Sequence, residues 1–345
     1  MTLVVNIKRL TVTLSLLVWA FFMAGCDAQL TYQTMGGRTM GTSWSLSYLP
    51  PNAEHNPASL QAAIEAELLD INQSMSTYIA DSEINKVSNA PAGEPIPLSP
   101  GFAFVLNEAL VLSRMSGGAY DVTVEPLILL WGFGPEFKTD TLPSPAEVDA
   151  ARAQVGYQAL GLDFETRTLT KQSPRSLDFS SIAKGYGVDR LAELLRSRGV
   201  ENFMIEIGGE LRVQGLNPQG QAWRIAVRAP TADAPDVATT IVLQDMGVAT
   251  SGDYFNFFRV GGQNYSHLID PTTGWPIQHE LVSVTVVDPS VTRADGLATT
   301  LLVLGKDKAL ELAEQNQLAV LLLAKTSEGI ESFPSAQFVR LYQSP

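Results

Sequence analysis

The chain has little cysteine, little histidine and little positive charge. Cys26 is the single cysteine in 345 residues, which excludes a disulfide scaffold and a thiolate metal centre. Lys and Arg number 23 against 36 Asp and Glu, and the net charge of −13 repels a phosphate backbone, so no nucleic-acid partner is expected. The three histidines, His55, His267 and His279, lie far apart in sequence. This spacing argues against a zinc site and leaves hard ions held by oxygen ligands.

Several strong nucleotide-binding and hydrolase motifs are also missing. The sequence has no GxxxxGK[ST] loop, no GxGxxG after a predicted strand and no GxSxG elbow. The sequence therefore gives no indication of P-loop or Rossmann nucleotide binding. Hydrophobic residues make up 45% of the chain and charged residues 17%, which is typical of a folded protein and excludes a disordered or collagen-like one.

The N-terminus has the pattern of an export signal. Lys8 and Arg9 precede an almost uncharged apolar run from Leu10 to Met23, and small residues follow it. The run of about 14 residues is shorter than the roughly 20 that a dedicated membrane span needs. We therefore predict a signal peptide over residues 1–25.

The residues around Cys26 point to a lipid anchor. Met23-Ala24-Gly25-Cys26 resembles a bacterial lipobox, with cleavage before the cysteine and lipidation on it, although Met23 stands where Leu is usual. Asp27 resembles the signal that retains such lipoproteins in the inner membrane. We expect residues 26–39 to be the lipidated cysteine and a tether, on the periplasmic side of that membrane. An ordinary signal peptide with an incidental cysteine is the alternative.

The rest of the chain alternates between helical and strand-like patterns. Several predicted strands follow one another with no helix between them, which favours antiparallel pairing over a doubly wound parallel sheet. The predicted fold class is α+β, with largely antiparallel or mixed sheets and packed helices in one unit over residues 40–345. Apolar spacing predicts helices over 59–75, 101–115, 182–198 and 293–304. Predicted strands cover 203–207, 223–227, 240–243, 254–260, 282–287, 319–323 and 338–342.

Segments rich in Gly, Asp and Thr run through the whole chain. They are Met40–Trp44, Ser76–Tyr78, Gly117–Val124, Leu130–Gly134, Leu177–Tyr186, Glu206–Glu210, Ala249–Tyr254, Ser266–Gly274 and Ala294–Thr299. In this order they resemble the ApbE family, the FAD:protein FMN transferases, from about residue 35 to 325. The resemblance implies an ApbE-like, T-fold-like architecture. It also implies Mg2+-dependent transfer of FMN from FAD to a Ser or Thr hydroxyl of an acceptor protein through a phosphodiester bond, with release of AMP.

A candidate cation site lies in the last of these segments. Asp295 and Thr299 are four residues apart, so on a helix they share one face and can bind one ion through a carboxylate and a hydroxyl. The resemblance implies that they hold Mg2+ together with the backbone carbonyl of Ala183. From spacing alone the alternative remains that Asp295 caps a helix and Thr299 packs within it.

The resemblance also implies a set of FAD-binding residues. A tyrosine ring can stack on a flavin or an adenine, and Asp121 can accept a hydrogen bond from an adenine amine or a ribose hydroxyl. Lys184, near a predicted helix N-terminus, suits an anionic pyrophosphate. The expected FAD-binding residues are Met40, Tyr78, Ala119, Tyr120, Asp121, Ser180, Lys184, Tyr186 and Ile269.

His267 is the candidate catalytic base. The acceptor hydroxyl loses its proton as it attacks phosphorus, and histidine has the best-matched pKa for that step near neutrality. Asp270 or Asp253 would orient the ring, while a histidine satisfied by a local turn is the alternative. His55 and His279 lack such a context and are expected at the surface.

Two other functions fit the same residues. If water replaces the acceptor hydroxyl, the protein is an FAD pyrophosphatase that yields FMN and AMP. If no turnover occurs, it is a flavin-binding lipoprotein. For a transferase, the resemblance implies acceptors among flavin-bearing subunits of membrane redox complexes of the Rnf and Nqr type.

Overall fold

The computed structural model describes residues 31–134, 142–228, 237–253, 257–260 and 263–343. Its main sheet joins strands that are far apart in sequence, in the order β1-β2-β6-β7-β10-β15-β16-β17, and every neighbouring pair is antiparallel. Those strands are β1 (Gln33–Thr39), β2 (Thr42–Tyr48), β6 (Phe203–Ile207), β7 (Glu210–Gln214), β10 (Gly247–Gly252), β15 (Leu281–Asp288), β16 (Ala319–Thr326) and β17 (Gly329–Pro334).

Smaller antiparallel ladders surround the main sheet. A three-stranded one has the order β3-β5-β4, and three hairpins pair β8 with β9, β11 with β12 and β13 with β14. Their bounds are β3 (Pro95–Pro97), β4 (Leu160–Asp163), β5 (Thr168–Lys171), β8 (Trp223–Arg228), β9 (Val237–Leu243), β11 (Phe257–Val260), β12 (Gln263–Ser266), β13 (Ile269–Asp270) and β14 (Trp275–Pro276).

Most of the helices begin with a side-chain cap. The Asn56 side chain accepts from the backbone N–H of Ser59, and Ser144 forms a capping box with Glu147. In chain order the helices are α1 (Pro57–Met75), α2 (Glu83–Asn89), α3 (Pro100–Met115), α4 (Glu125–Leu130), α5 (Pro145–Arg152), α6 (Ala183–Ser197), α7 (Val291–Leu304), α8 (Lys306–Gln315) and α9 (Ala336–Phe338).

The central strands of the main sheet, β15 and β16, are buried on both faces, which makes three layers there. In β16, Val320 and Leu322 pack into the core formed with the helices, while Leu321 and Leu323 pack on the opposite side with the β8–β9 hairpin. A strand covered on both faces is apolar throughout rather than alternating, as β16 is. The predicted α+β class with antiparallel sheets is confirmed.

The four predicted helices are present as α1, α3, α6 and α7, with ends shifted by one or two residues. The predicted strand over 338–342 is wrong, because that segment forms the end of α9 and a π-helical turn over Val339–Gln343. Its aromatic residues four apart, Phe338 and Tyr342, lie on one helical face with ring centroids 5.4 Å apart. Of the predicted strand over 254–260, residues 257–260 form β11 and residues 254–256 lie outside the described residues.

At the N-terminus, β1 occupies part of the predicted tether. Residues 33–39 pair with β2, so the structure differs there from a free tether over 26–39. The predicted signal peptide and Cys26 lie outside the described residues. Within the ranges that the structure describes, no helix has the length and apolar character that a membrane crossing requires.

Helices α6 and α7 approach closely at Gly185. A Cβ atom at Gly185 would lie 2.3 Å from the carbonyl oxygen of Val291 and 2.8 Å from Cβ of Asp295. The Gly185 N–H also donates to Oδ2 of Asp295 at 2.9 Å. A side chain at this position would therefore push the two helices apart.

We expect Gly185→Ala to lower the free energy of unfolding by about 2 kcal/mol relative to Gly296→Ala, because backbone atoms of Val291 cannot move aside. In Gly296→Ala the new methyl would meet side-chain atoms, Cδ1 of Leu112 and Cδ1 of Ile182, and no backbone of the neighbouring elements. Both changes gain the same helix propensity, about 1 kcal/mol, so their difference isolates the packing effect. Urea unfolding of the two variants measures it, and equal stabilities would contradict the interpretation.

Candidate active site

A cavity of about 510 Å³ opens at one edge of the main sheet. Antiparallel pairing of β2 with β6 brings the β1–β2 turn beside the β6–β7 turn, and β10 ends at the same edge. The N-terminal end of α6, one face of α7 and the segment around His267 complete the wall. The predicted site residues that line the cavity are Met40, Ala119, Tyr120, Asp121, Ser180, Lys184, His267, Ile269, Asp295 and Thr299.

The β1–β2 turn holds Met40 in a left-handed conformation. Met40 has a φ of 48° and Gly41 a φ of 72°, as a two-residue hairpin turn of this kind requires. A Met with positive φ is uncommon and costs conformational energy, which surrounding contacts must offset. Asn72 supplies one such contact by donating from Nδ2 to the hydroxyl of Thr39 at 3.0 Å. The backbone of Met40 is therefore strained, and its apolar side chain lines the cavity.

A buried charged cluster forms the floor of the cavity. Lys184 Nζ lies 2.8 Å from Oε1 of Glu210 and 3.6 Å from Oδ1 of Asp295. Both carboxylates are only 2% exposed, and Oε2 of Glu210 is buried without a hydrogen-bond partner. When all three groups are ionised, two negative charges face one positive charge. Only in that state does the cluster carry an excess negative charge.

Burial and mutual attraction shift the pKa of each member of this cluster. Burial raises the pKa of Glu210 to about 8, against the opposing effect of Lys184. Burial also raises the pKa of Asp295 above its usual range. For Lys184, burial disfavours the ammonium, but Asp295 and Glu210 outweigh it and raise the pKa of the lysine.

The donor set beside this cluster fits a hard divalent cation. Asp295 and Thr299 both line the cavity, and the Thr299 hydroxyl lies 3.0 Å from the hydroxyl of Ser251. Across the described part of the chain, no group of three or more His, Cys, Asp or Glu side chains could hold a metal. Mg2+ does not need such a cage, because it is commonly held by one or two carboxylates, substrate phosphates and water. The oxygen donors of Asp295 and Thr299 therefore suit Mg2+.

His267 lies on the wall between β12 and β13. Its ring meets the ring of Phe133 edge-on, with centroids 6.3 Å apart. Asp270, predicted as a possible orienting group, uses Oδ1 to accept from the backbone N–H and the hydroxyl of Thr272, which forms a local turn. The imidazole thus stands in the same cavity as the lysine and the carboxylates.

Asp121 lines the cavity with a carboxylate that is engaged in holding the backbone. Its Oδ1 accepts from the N–H and the hydroxyl of Thr123, and its Oδ2 accepts from the N–H of Tyr157 at 2.8 Å. These bonds join the loop after α3 to the segment before β4. The predicted hydrogen bond to an adenine or a ribose would share these oxygens with three existing donors.

Three predicted residues are not part of the cavity wall. Tyr78 is 69% exposed on the loop after α1, whose backbone carbonyls at Thr77 and Ile79 accept from Nδ2 of Asn85. Ala183 is the first residue of α6, directly before Lys184.

Tyr186, predicted to bind FAD, faces a groove that is separate from this cavity. It packs 5.9 Å from the ring of Phe104 and lines a separate groove of about 440 Å³. Two residues along a helix correspond to a rotation of about 200°, so Lys184 and Tyr186 point in opposite directions.

Sequence reasoning assigned no role to some residues that the structure brings into the site. Glu210 follows the Gly208-Gly209 turn, and its place at the end of the Glu206–Glu210 segment was the available signal. Asp178 also lines the cavity and accepts from the N–H of Ser180 at 2.7 Å. The prediction that His279 is a surface residue is wrong for its ring nitrogens, which are buried against Gly305 without a hydrogen-bond partner.

The cavity brings together a lysine, carboxylates, hydroxyls and an imidazole, the kinds of groups that phosphoryl transfer with a bound cation uses. A sequence profile of the ApbE family matches residues 40–322, which is most of the chain. The chain belongs to the ApbE family.

Relatives and solved structures agree with this assignment. The chain is 44% identical over 317 residues to a protein of Vibrio cholerae named FAD:protein FMN transferase, covering 92% of this chain and 94% of that one. It is 41% identical to a protein of the same name from Haemophilus influenzae, covering 98% and 99%. The structure of the flavin transferase ApbE from Vibrio cholerae superposes with a TM-score of 0.84 at 42% identity, covering 90% of this chain and 99% of that chain.

We expect Glu210→Gln to become more stable relative to the unaltered protein as the pH rises from 5 to 8. A carboxyl whose pKa is raised by folding stabilises the native state below its unfolded pKa, and this contribution is lost as the pH rises through about 8. The amide does not titrate and lacks this loss. Denaturant unfolding of both proteins at several pH values measures the effect, and a difference in stability that does not vary with pH would contradict it.

Proposed function

We propose that this protein transfers FMN from FAD to a Ser or Thr hydroxyl of an acceptor protein, with Mg2+ bound and AMP released. Family membership and the names of relatives up to 44% identical support flavin transfer as the general activity. The main support for Mg2+, for the Ser or Thr acceptor and for AMP release is a single cavity. It is lined by a histidine, a lysine and an Asp–Thr pair whose oxygens suit a cation.

In this mechanism FAD lies in the cavity with its pyrophosphate near the N-terminal end of α6. That helix begins without a side-chain cap, and Lys184 adds positive charge at the same place. Asp295 and Thr299 would hold Mg2+, with the carbonyl of Ala183 as a further ligand. The ion supplies neutralisation of the charge on the pyrophosphate.

His267 acts on the acceptor. It takes the proton from the Ser or Thr hydroxyl, whose oxygen forms a bond to the phosphorus of the FMN half of FAD. The bond from that phosphorus to the oxygen shared with the AMP phosphate breaks, and AMP leaves with that oxygen. The product is a phosphodiester between FMN and the acceptor.

The place of action follows from the predicted lipid anchor. With Cys26 acylated, the catalytic unit would stand on the periplasmic side of the inner membrane, because a multiply acylated N-terminus binds a bilayer firmly. Flavin-bearing subunits of Rnf- and Nqr-type complexes are the proposed acceptors, on the strength of the family resemblance. The partners in this proposal are thus FAD, such a subunit and the membrane.

Intact-mass spectrometry of the acceptor tests the proposal. The enzyme is mixed with FAD, Mg2+ and a purified periplasmic domain of a candidate acceptor. We expect the acceptor to gain the mass of FMN minus water, and EDTA or Asp295→Asn to abolish the gain. Free FMN and AMP with an unmodified acceptor would show hydrolysis instead, and intact bound FAD would show a storage protein.

We expect His267→Gln to slow transfer by about 10²- to 10⁴-fold, the usual contribution of a general base, while FAD binding stays within about twofold. His55→Gln is the matched control, because the His55 ring is bonded to the Tyr48 hydroxyl at 3.0 Å and does not line the cavity. Transfer rates come from the mass assay and FAD affinity from flavin fluorescence. Equal rates in the two variants would remove His267 from the chemistry.

A further inference from the structure

Asp189 bonds to the start of a helix other than its own. It lies on α6, yet its carboxylate accepts from the first turn of α7: Oδ1 from Val291 N at 3.1 Å, and Oδ2 from Thr292 N at 2.9 Å. The hydroxyls of Ser290 and Thr292 donate to Oδ2 at 3.0 and 2.8 Å. A carboxylate has about four acceptor positions, so these donors nearly saturate it.

These bonds go beyond what α7 needs for its own cap. Ser290 already caps the helix, since its hydroxyl accepts from the N–H of Arg293 at 3.3 Å. Asp189 adds a negative charge at the positive end of the helix dipole and reaches it from the neighbouring helix. The additional bonds therefore join α6 to α7 rather than merely completing α7.

The joint lies one turn away from the charged cluster on both helices. On α6, Asp189 follows Lys184 and Gly185 by about a turn, and on α7, Val291 precedes Asp295 by about a turn. Between the two turns, Gly185 packs directly on Val291. Asp189 thus holds one side of this contact, and the bond from Gly185 N–H to Asp295 holds the other.

Strand β7 is tied to the same joint. Arg212 lies 3.4 Å from Oδ1 of Asp189 and donates to the carbonyl of Pro289, just before α7. Two residues earlier on β7, Glu210 pairs with Lys184. The elements that carry the three charged groups of the cavity floor therefore meet at Asp189.

We propose that Asp189 is a positioning residue of the flavin transferase. It holds α7 against α6 and so places the Asp295 carboxylate where it can bind the cation. The inference rests on the proposed function, because it gives Asp295 its role. Asp189 touches neither the cavity nor the reacting groups, and it acts through the placement of Asp295.

Hydrogen exchange and metal dependence in Asp189→Asn test this role in the full-length protein. An amide in place of the carboxylate turns one acceptor into a donor that faces N–H groups, which loosens the joint. We expect the Gly185 amide, which donates from α6 to Asp295 on α7, to exchange at least about threefold faster. The Mg2+ concentration for half-maximal transfer should rise about tenfold, the lower end of what supporting residues of a metal site contribute, with kcat at saturating Mg2+ much less affected.

Two further variants separate positioning from simple helix capping. Thr292→Val keeps the shape of the side chain and removes one donor to Asp189. We therefore expect smaller increases in the Gly185 exchange rate and in the Mg2+ concentration for half-maximal transfer. This variant still tests the proposal if Asp189→Asn folds poorly. Ser144→Ala removes the cap of α5, remote from the site, and should lower thermal stability without moving either quantity.

Faster exchange limited to residues 291–294, with Gly185 and the Mg2+ requirement unchanged, would overturn the proposal and reduce Asp189 to a cap. If the unaltered protein transfers no FMN, the proposed function fails, but exchange at Gly185 still decides whether Asp189 holds the helices together. Faster exchange at Gly185 in Asp189→Asn and in Thr292→Val, with Ser144→Ala unchanged, supports the joint.

Discussion

The close contact of α6 and α7 at Gly185 is the constraint on which the site depends. Without a side chain at this position, the helices approach until the Gly185 N–H donates to Asp295, whose carboxylate is almost fully buried. Burying an ionised carboxylate is costly unless it is paired and hydrogen-bonded. The helix contact supplies the hydrogen bond, and Lys184, one residue before Gly185, supplies the charge. A single backbone contact thus determines both packing and electrostatics.

The sheet explains why short segments so far apart in sequence meet around that contact. Antiparallel pairing of β2 with β6 places the Met40-Gly41 turn beside the Gly208-Gly209 turn, and β10, paired with β7, brings Ser251 to the same edge. Each segment lies at a strand end, where the chain reverses and polar side chains can leave the core. Gly41, Gly208 and Gly209 adopt the positive φ angles of these turns without a steric penalty, whereas Met40 adopts one at a cost.

The local parts of this structure were predictable from sequence, and the non-local ones were not. Apolar spacing predicts α1, α3, α6 and α7, and the four-residue separation of Asp295 and Thr299 puts both on the cavity side of α7. The other contacts of the site depend on which strands pair within the sheet, and the linear sequence pattern does not contain that information. This pairing brought Glu210 to Lys184. Tyr186 differs, because its place in a separate groove follows from helix geometry alone: it lies two residues after Lys184 and points the opposite way.

The charge balance of the cavity explains why a cation belongs to the proposed chemistry. Lys184 alone offers little attraction to a pyrophosphate, because its ammonium is already paired with Glu210 and lies close to Asp295. A divalent cation held by Asp295 and Thr299 would supply the positive charge that makes the cavity attractive to an anion. The Asp295 carboxylate, which by itself offers nothing to an anion, would thus become, through the cation, part of the proposed FAD site.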